Sequence, residues 1–266
     1  LPPTPLRSVY FGGGTPSLLP PTTLCEILHT IRESFGVAED AEITVECDPG
    51  TFDRRGMERL LEEGFNRVSL GVQSFDDVVL SNIGRFHRLS DVDASISILN
   101  SLNVSYSLDL ISGLPGSTLE SWEETVREAG RRRPGHISVY DLQVEEGTRF
   151  GRSYKRNGEE MEEDDEGEEE VIKDITGKLP PLPSPSTSAS MYRLASNLLT
   201  TTYGYDHYEV SSYALPNLRS KHNSMYWDHG SSWVGVGVGA TSCVRGRRTT
   251  RPRKMDDYVK WVEEGG

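Results

Sequence analysis

Apolar runs of strand character alternate with amphipathic helical stretches along the first half of the chain. The runs are "RSVYF" at 7–11, "EITVEC" at 42–47, "RVSLGV" at 67–72, "VSYSLDLI" at 104–111 and "HISVYDL" at 136–142. Helical periodicity fills the intervals at 21–35, 53–63, 91–102 and 118–131. Thr51 and Ser90 stand where two of these helices start, and Gly64 where one stops. Strands that alternate this regularly with helices predict βαβ units and a parallel sheet. The pattern alone leaves open whether that sheet curls into a barrel.

The alternation breaks after about residue 153. Residues 158–170 read "GEEMEEDDEGEEE", a self-repelling acidic block that predicts a solvated, disordered segment. The run "LPPLPSPSTSAS" at 179–190 predicts a flexible spacer. Residues 154–190 are therefore expected to form a surface insertion between a core over 1–153 and a C-terminal part over 191–266. In that last part the pattern predicts a helix at 191–202, stopped near Gly204, and a short strand at 208–211. The loop-like "HNSMYW", the glycine-rich "WVGVGVGATS" and "YVKWVEEGG", which reads as an unfinished helix, follow.

A chain of 266 residues is long enough to bury a substantial core. Its 28 basic and 41 acidic residues give a formal net charge of −13, which argues against a general phosphate-backbone binder, so no nucleic-acid partner is expected. No apolar run approaches the roughly 20 residues that span a bilayer, so no transmembrane segment is expected. Cys25, Cys47 and Cys243 are odd in number and far apart, with no CxxC-type spacing. They read as small buried thiols in a reducing compartment rather than as a disulfide framework or a metal site.

The chemistry points to the strand ends. The first strand runs into "GGGTP", Gly12 to Pro16, where bare backbone lets N–H groups approach a ligand closely. A tight turn gives the same signature without a ligand, and the run is neither GxGxxG nor a P-loop. The next strands end at Glu46 in "VECDP", Gln73 in "GVQSF" and Asp109 in "SLDLISGLPG". A single carboxylate there often caps the following helix. Together the three residues and the glycine loop fall on one rim of one sheet, the place where parallel α/β folds bind ligands. Arg85, in "IGRFHR", adds a cation suited to a carboxylate. Such a rim suits a ribose diol joined to an amino acid.

The motifs "VYFGGGTPSLL", "ECDPG", "GFNRVSLGVQSFDD", "IGRFHR", "DLISGLPGST", "HISVYDLQVEEGT", "GYDHYEVSSYA", "HNSMYW" and "GVGVGATS" occur in this order. They resemble the oxygen-independent coproporphyrinogen III oxidase-like group of radical S-adenosylmethionine (SAM) proteins, and its haem-chaperone branch (HemW) more than the true oxidase. The resemblance covers nearly everything outside the insertion. It implies a partial (β/α)6 TIM-like barrel lacking its first strand, with an α+β C-terminal extension. It implies SAM, with Gly13, Gly14 and Thr15 on the methionine end and Glu46, Gln73, Arg85 and Asp109 at matching contact positions. Gln143 and Tyr208 match two further contacts more weakly. It implies a 4Fe–4S cluster as well, but the family's CxxxCxxC motif is absent from this sequence, so this polypeptide alone is expected not to assemble one. A missing N-terminal stretch is the expected reason, and the small helical domain typical of the family is expected to lie beyond the C-terminus.

His222, Tyr226 and Trp227, in the HNxxYW pattern that marks the chaperone branch, are candidates for a haem site. The histidine would be an axial ligand and the two aromatics would face the porphyrin. The leading reading is a haem chaperone that binds haem or a porphyrin and passes haem to haemoprotein acceptors. The first alternative is an oxidase that decarboxylates coproporphyrinogen III. The second is a cluster-free binding protein. The expected compartment is the cytoplasm or the mitochondrion.

Overall fold

The structure is a computed structural model that describes residues 4–144, 154, 180–228 and 230–265. The acidic block at 158–170 lies outside the described residues. The described residues fall into two units, 1–219 and 220–266.

In the first unit five strands follow the expected alternation: β1 (Leu6–Phe11), β2 (Val37–Cys47), β3 (Arg67–Gln73), β4 (Ser105–Ser112) and β5 (His136–Asp141). Between them run α1 (Pro21–Phe35), α2 (Arg54–Glu62), α3 (Asp77–Asn82), α4 (Leu89–Ser101) and α5 (Leu119–Arg132). All five strands pair in parallel and in chain order. After α6 (Pro185–Asn197), the hairpin β6 (Asp206–Glu209) and β7 (Ser212–Ala214) adds two antiparallel strands on the β5 edge. The result is a seven-stranded, curled half-barrel, as the sequence resemblance implied.

Strand alternation sorts the residues by face. Ile43, Val45, Val68, Leu70, Val72, Leu108, Leu110, Ile137 and Val139 belong to the apolar core, with Leu24 and Leu28 of α1, Met57 of α2, Leu99 of α4 and Trp122 of α5. The other parity places Tyr10, Glu46, Ser69, Gly71, Gln73, Asp109 and Tyr140 around a cavity at the strand ends. A period of two thus makes one face of the sheet oily and the other a site.

Several local expectations are corrected. Residues 185–190 are not a flexible spacer: α6 begins at Pro185, six residues before the expected 191. Ser184 caps it by accepting the Thr187 N–H at 3.2 Å, and proline at the first helical position suits a helix start. The preceding prolines are also tied down, because the Pro181 carbonyl accepts the Gly116 N–H at 2.8 Å. The α2 cap is Asp53, which accepts from Gly56 N–H at 2.7 Å, while Thr51 donates instead to the Asp48 carbonyl at 2.7 Å. Arg88 rather than Ser90 precedes α4, its N–H held by Asp91 at 2.8 Å. The strand expected at 208–211 is two short strands joined at 210–211.

His136 is 1% exposed at the start of β5. Its Nε2 pairs with the Tyr208 hydroxyl at 2.8 Å, and its Nδ1 has no partner. Tyr208 therefore faces His136, and Gln143 lies exposed just past β5. Burial, then the Arg67 charge, pulls the His136 pKa down to about 3. The folded state holds this imidazole neutral, whereas the unfolded chain protonates it near pH 6.5. Its contribution is complete above that value and is lost as pH falls toward 3. Lowering pH from about 7 to about 5 should remove about 2 kcal/mol through this group. Denaturant melts of the wild type and His136→Gln at both pH values test this, and the variant should lose that part of the pH dependence.

The second unit contains α7 (Lys221–Trp227), the hairpin β8 (Thr241–Val244) and β9 (Arg247–Thr250), and α8 (Met255–Glu263). "HNSMYW" is thus part of a short helix rather than a loop, capped by Ser220, which accepts the Asn223 N–H at 3.2 Å. The "YVKWVEEGG" run does form helix through Glu263. No helix among the described residues is long and apolar enough to cross a membrane.

Candidate functional site

The ends of β1 to β5 enclose a cavity of about 320 Å3. β1 delivers the glycine loop. A Cβ on Gly12 would lie 2.6 Å from the Tyr10 ring and 2.9 Å from the Glu46 carboxylate, so only glycine fits there. A Cβ on Gly13 or Gly14 would meet nothing within 4 Å, and Gly13 has φ of +114°. These two residues therefore present bare backbone to open space on the cavity wall.

β2 delivers two carboxylates of different function. Glu46 accepts the Tyr10 hydroxyl at 2.7 Å and the Gly13 N–H at 3.1 Å. Burial raises its pKa above the usual carboxylate value, against the pull of those two donors. Asp48 gathers two elements on one oxygen: Oδ2 accepts the Thr15 hydroxyl at 3.1 Å and Arg85 Nη1 at 2.8 Å. Arg85 is therefore present at the rim but already paired.

β3 and β4 complete the wall. Gln73 sits at φ +65°, a left-handed conformation that a non-glycine residue rarely adopts and that often marks a functional position. A Cβ on Gly71 would lie 2.8 Å from Asp48 Oδ1 and 2.9 Å from Gln73 Nε2, so glycine here makes room for both side chains. Asp109 Oδ2 accepts the Ser69 hydroxyl at 2.6 Å, while its Oδ1 is shut off from solvent and has no partner. Burial raises the Asp109 pKa, opposed in part by Ser69, Ser138 and Arg67.

The cavity brings together all seven rim residues read from the sequence: Gly13, Gly14, Thr15, Glu46, Gln73, Arg85 and Asp109. Sequence reasoning passed over Tyr10, Asp48, Ser69 and Tyr140, which also line it. Their signal was present: each shares the inward parity of a residue already picked out, or follows it at the same strand end. Chemically, the cavity wall carries the carboxylates of Glu46, Asp48 and Asp109, a guanidinium held by Asp48, and the glycine backbone of the loop.

The thiols do not fit a cluster. Cys25, Cys47 and Cys243 are each free and buried. Burial raises the Cys25 pKa and drives that of Cys47 up to about 12, the reverse of what a ligating thiolate needs. Among the described residues no group of three or more Cys, His, Asp or Glu side chains is placed to hold a metal ion.

In the second unit, α7 places His222 and Tyr226 one turn apart. His222 Nε2 and the Tyr226 hydroxyl are 3.0 Å apart, and the rings meet edge-on at 5.2 Å. Tyr226 in turn meets Trp233 edge-on at 4.9 Å. Tyr226 and Trp227 are 48% and 59% exposed, enough aromatic surface to receive a flat ligand.

A curled parallel half-barrel with a glycine loop and carboxylates at its strand ends is the architecture of a radical SAM domain, and the model of the Radical SAM superfamily matches residues 2–129. That superfamily implies SAM and a 4Fe–4S cluster as cofactors. More narrowly, the chain's similarities fit the HemN/HemW-like family of radical SAM proteins. The chain is 41% identical over 260 residues to "Heme chaperone HemW" of Synechocystis sp., covering 97% of this chain and 58% of that protein. It is 33% identical over 261 residues to the protein of the same name from Escherichia coli, covering 96% and 62%. It is also 32% identical over 270 residues to "Radical S-adenosyl methionine domain-containing protein 1, mitochondrial" of Danio rerio, covering 98% and 56%. The chain thus spans less than two thirds of the length of these relatives. The solved structure of coproporphyrinogen III oxidase (HemN) from Escherichia coli superposes with a TM-score of 0.76 at 24% identity, covering 97% of this chain and 57% of that one.

Proposed function

We propose that this chain binds SAM in the strand-end cavity and haem on the second unit, and acts as a haem chaperone that delivers haem to haemoprotein acceptors. The observation that carries the SAM assignment is the buried, unpartnered Oδ1 of Asp109 beside an open glycine cradle. A buried acceptor without a donor is costly unless a ligand supplies one. Asp109 and Glu46 accept donors from the nucleoside, Gln73 fixes the base or sugar, and Arg85 turns from Asp48 to the methionine carboxylate. The backbone of Gly13 and Gly14, where no side chain intrudes, and the Thr15 hydroxyl, released from Asp48, hold the methionine end. When bound to a reduced cluster, SAM supplies radical chemistry, but the described residues offer no set of cluster ligands.

The haem assignment rests on His222, Tyr226 and Trp227 together with the identity to proteins named HemW. The site calls for an aqueous compartment, either the cytoplasm or the mitochondrion. Calorimetry with SAM and an absorbance titration with haem test the two halves separately. Saturable binding of both, with a Soret shift abolished by His222→Ala, is the expected result. Release of CO2 from coproporphyrinogen III in the presence of SAM would replace the chaperone with the oxidase.

A further inference from the structure

We propose that the β8–β9 hairpin is the carboxylate-binding part of the haem site, recognising the propionate groups of the tetrapyrrole. This rests on the haem reading of α7 and extends it to residues that nothing above assigns. Residues 245–254 read "RGRRTTRPRK", six cations in ten positions of a chain whose formal net charge is −13. The four residues of β9 are all exposed. The arginines of α5 behave differently: Arg127, Arg131 and Arg132 each pair with a carboxylate. Among the described residues, Arg245, Arg247, Arg248 and Arg253 form no ion pair. An acidic protein that leaves four arginines unpaired in one place has kept a positive surface there.

The hairpin is coupled to the aromatic face within the same unit. Trp233 is docked on β8 through reciprocal backbone hydrogen bonds with Cys243, both 2.9 Å. The Arg248 guanidinium lies over the Trp233 ring at 5.8 Å, and Trp233 leads through Tyr226 to His222. Arg251 is spent on structure, stacking on Trp261 at 5.3 Å and donating to Ser242 at 3.0 Å. A turn at Arg245 and Gly246, with φ of +51° and +77°, presents Arg247 and Arg248 on opposite faces of the strand. Along this path the unit thus offers a histidine, two aromatic rings and the Arg248 guanidinium, with Arg247 on the other face of the strand. A haem offers a metal, a flat apolar ring and two carboxylates. Guanidinium is the cation best matched to a carboxylate, which it can grip with two parallel N–H bonds.

The test compares haem with haem dimethyl ester, which keeps the ring and iron but loses both charges. Titrations of the full chain follow the Soret band at low and high salt. Wild type should bind the free acid about tenfold more tightly than the diester, and only the free acid should weaken with salt. The Arg247→Gln/Arg248→Gln variant should lose that preference and still bind the diester. Arg247→Gln alone, on the other face of the strand, leaves the Trp233 stack intact and should keep most of that preference, whereas Arg248→Gln alone should lose most of it. His222→Ala should instead abolish the Soret shift with both ligands. Equal binding of acid and diester by wild type, or a preference that survives the double substitution, would overturn the propionate site and leave the haem reading standing. No Soret shift with either ligand would overturn the haem reading, and the propionate site with it. If the double variant keeps its acid preference but loses binding to phosphatidylserine vesicles, the hairpin meets a membrane surface and the proposal falls.

Discussion

Asp109→Asn is expected to raise the stability of the free chain and lower its affinity for SAM, two effects of opposite sign from one substitution. The free protein carries a carboxylate whose burial raises its pKa and whose Oδ1 meets no donor. Removing a poorly compensated buried charge should stabilise by roughly 1 kcal/mol, even though the new amide leaves one donor unmatched. The ligand loses an ionic acceptor, and a charge-assisted hydrogen bond contributes roughly 1.5–3 kcal/mol, so affinity should fall by roughly 10- to 100-fold. The pH dependence follows with a definite sign. A ligand that donates to Asp109 favours its ionised form, so its pKa is higher in the free protein than in the complex. Binding then releases protons, and SAM affinity rises with pH through the upper end of the carboxylate range. Asp109→Asn should flatten the part that belongs to this group and leave the part from Glu46, whose pKa is also raised. Calorimetric titrations from about pH 5 to about pH 8, with thermal melts of the ligand-free proteins, measure both halves. A variant that loses stability and keeps its affinity would place Asp109 in the scaffold and not in the site.

The rim was legible because it obeys one short-range rule: a polar residue at the end of an apolar strand, repeated on neighbouring parallel strands. Glu46, Gln73 and Asp109 needed only that rule and the parallel order, and the cavity contains all three. The pairing across the rim was not legible. Asp48 joins Thr15 and Arg85 across sequence separations of 33 and 37 residues, and no local pattern encodes that geometry. The Glu46 carboxylate on Gly13 N–H spans 33 residues and is equally invisible. Short helices failed for a related reason. The six residues of α3 and the seven of α7 are too few for a helical period to show. Their starts were written in Asp76, which accepts from Val78 N–H at 2.8 Å, and in Ser220.

The Pro/Ser run misled for a different reason, and a pair of substitutions at Trp122 measures how firmly that segment belongs to the fold. Composition ranks "LPPLPSPSTSAS" as a spacer, yet its last six residues open α6, whose Met191 and Ala195 are fully buried. Tertiary packing decides the outcome. Trp122 of α5 is 3% exposed and donates its Nε1–H to the Met191 carbonyl at 2.9 Å. Further along α5, Gly130 makes room for the Tyr203 ring, where a Cβ would come within 2.5 Å, and the Tyr203 hydroxyl donates to the Arg127 carbonyl at 3.2 Å. Trp122→Ala should therefore destabilise the first unit by about 3–5 kcal/mol, through lost apolar contact and the cavity left behind. Trp122→Phe keeps most of the ring and deletes the donor, so it should take about 1–2 kcal/mol. Urea melts and proteolysis at 185–197 separate two outcomes. If Trp122→Ala exposes α6 to cleavage while β1 to β5 stay folded, the helix is an appendage held by one side chain. If the whole unit melts in a single transition, α6 is part of the core and the boundary drawn from composition was wrong because it counted residues and not contacts.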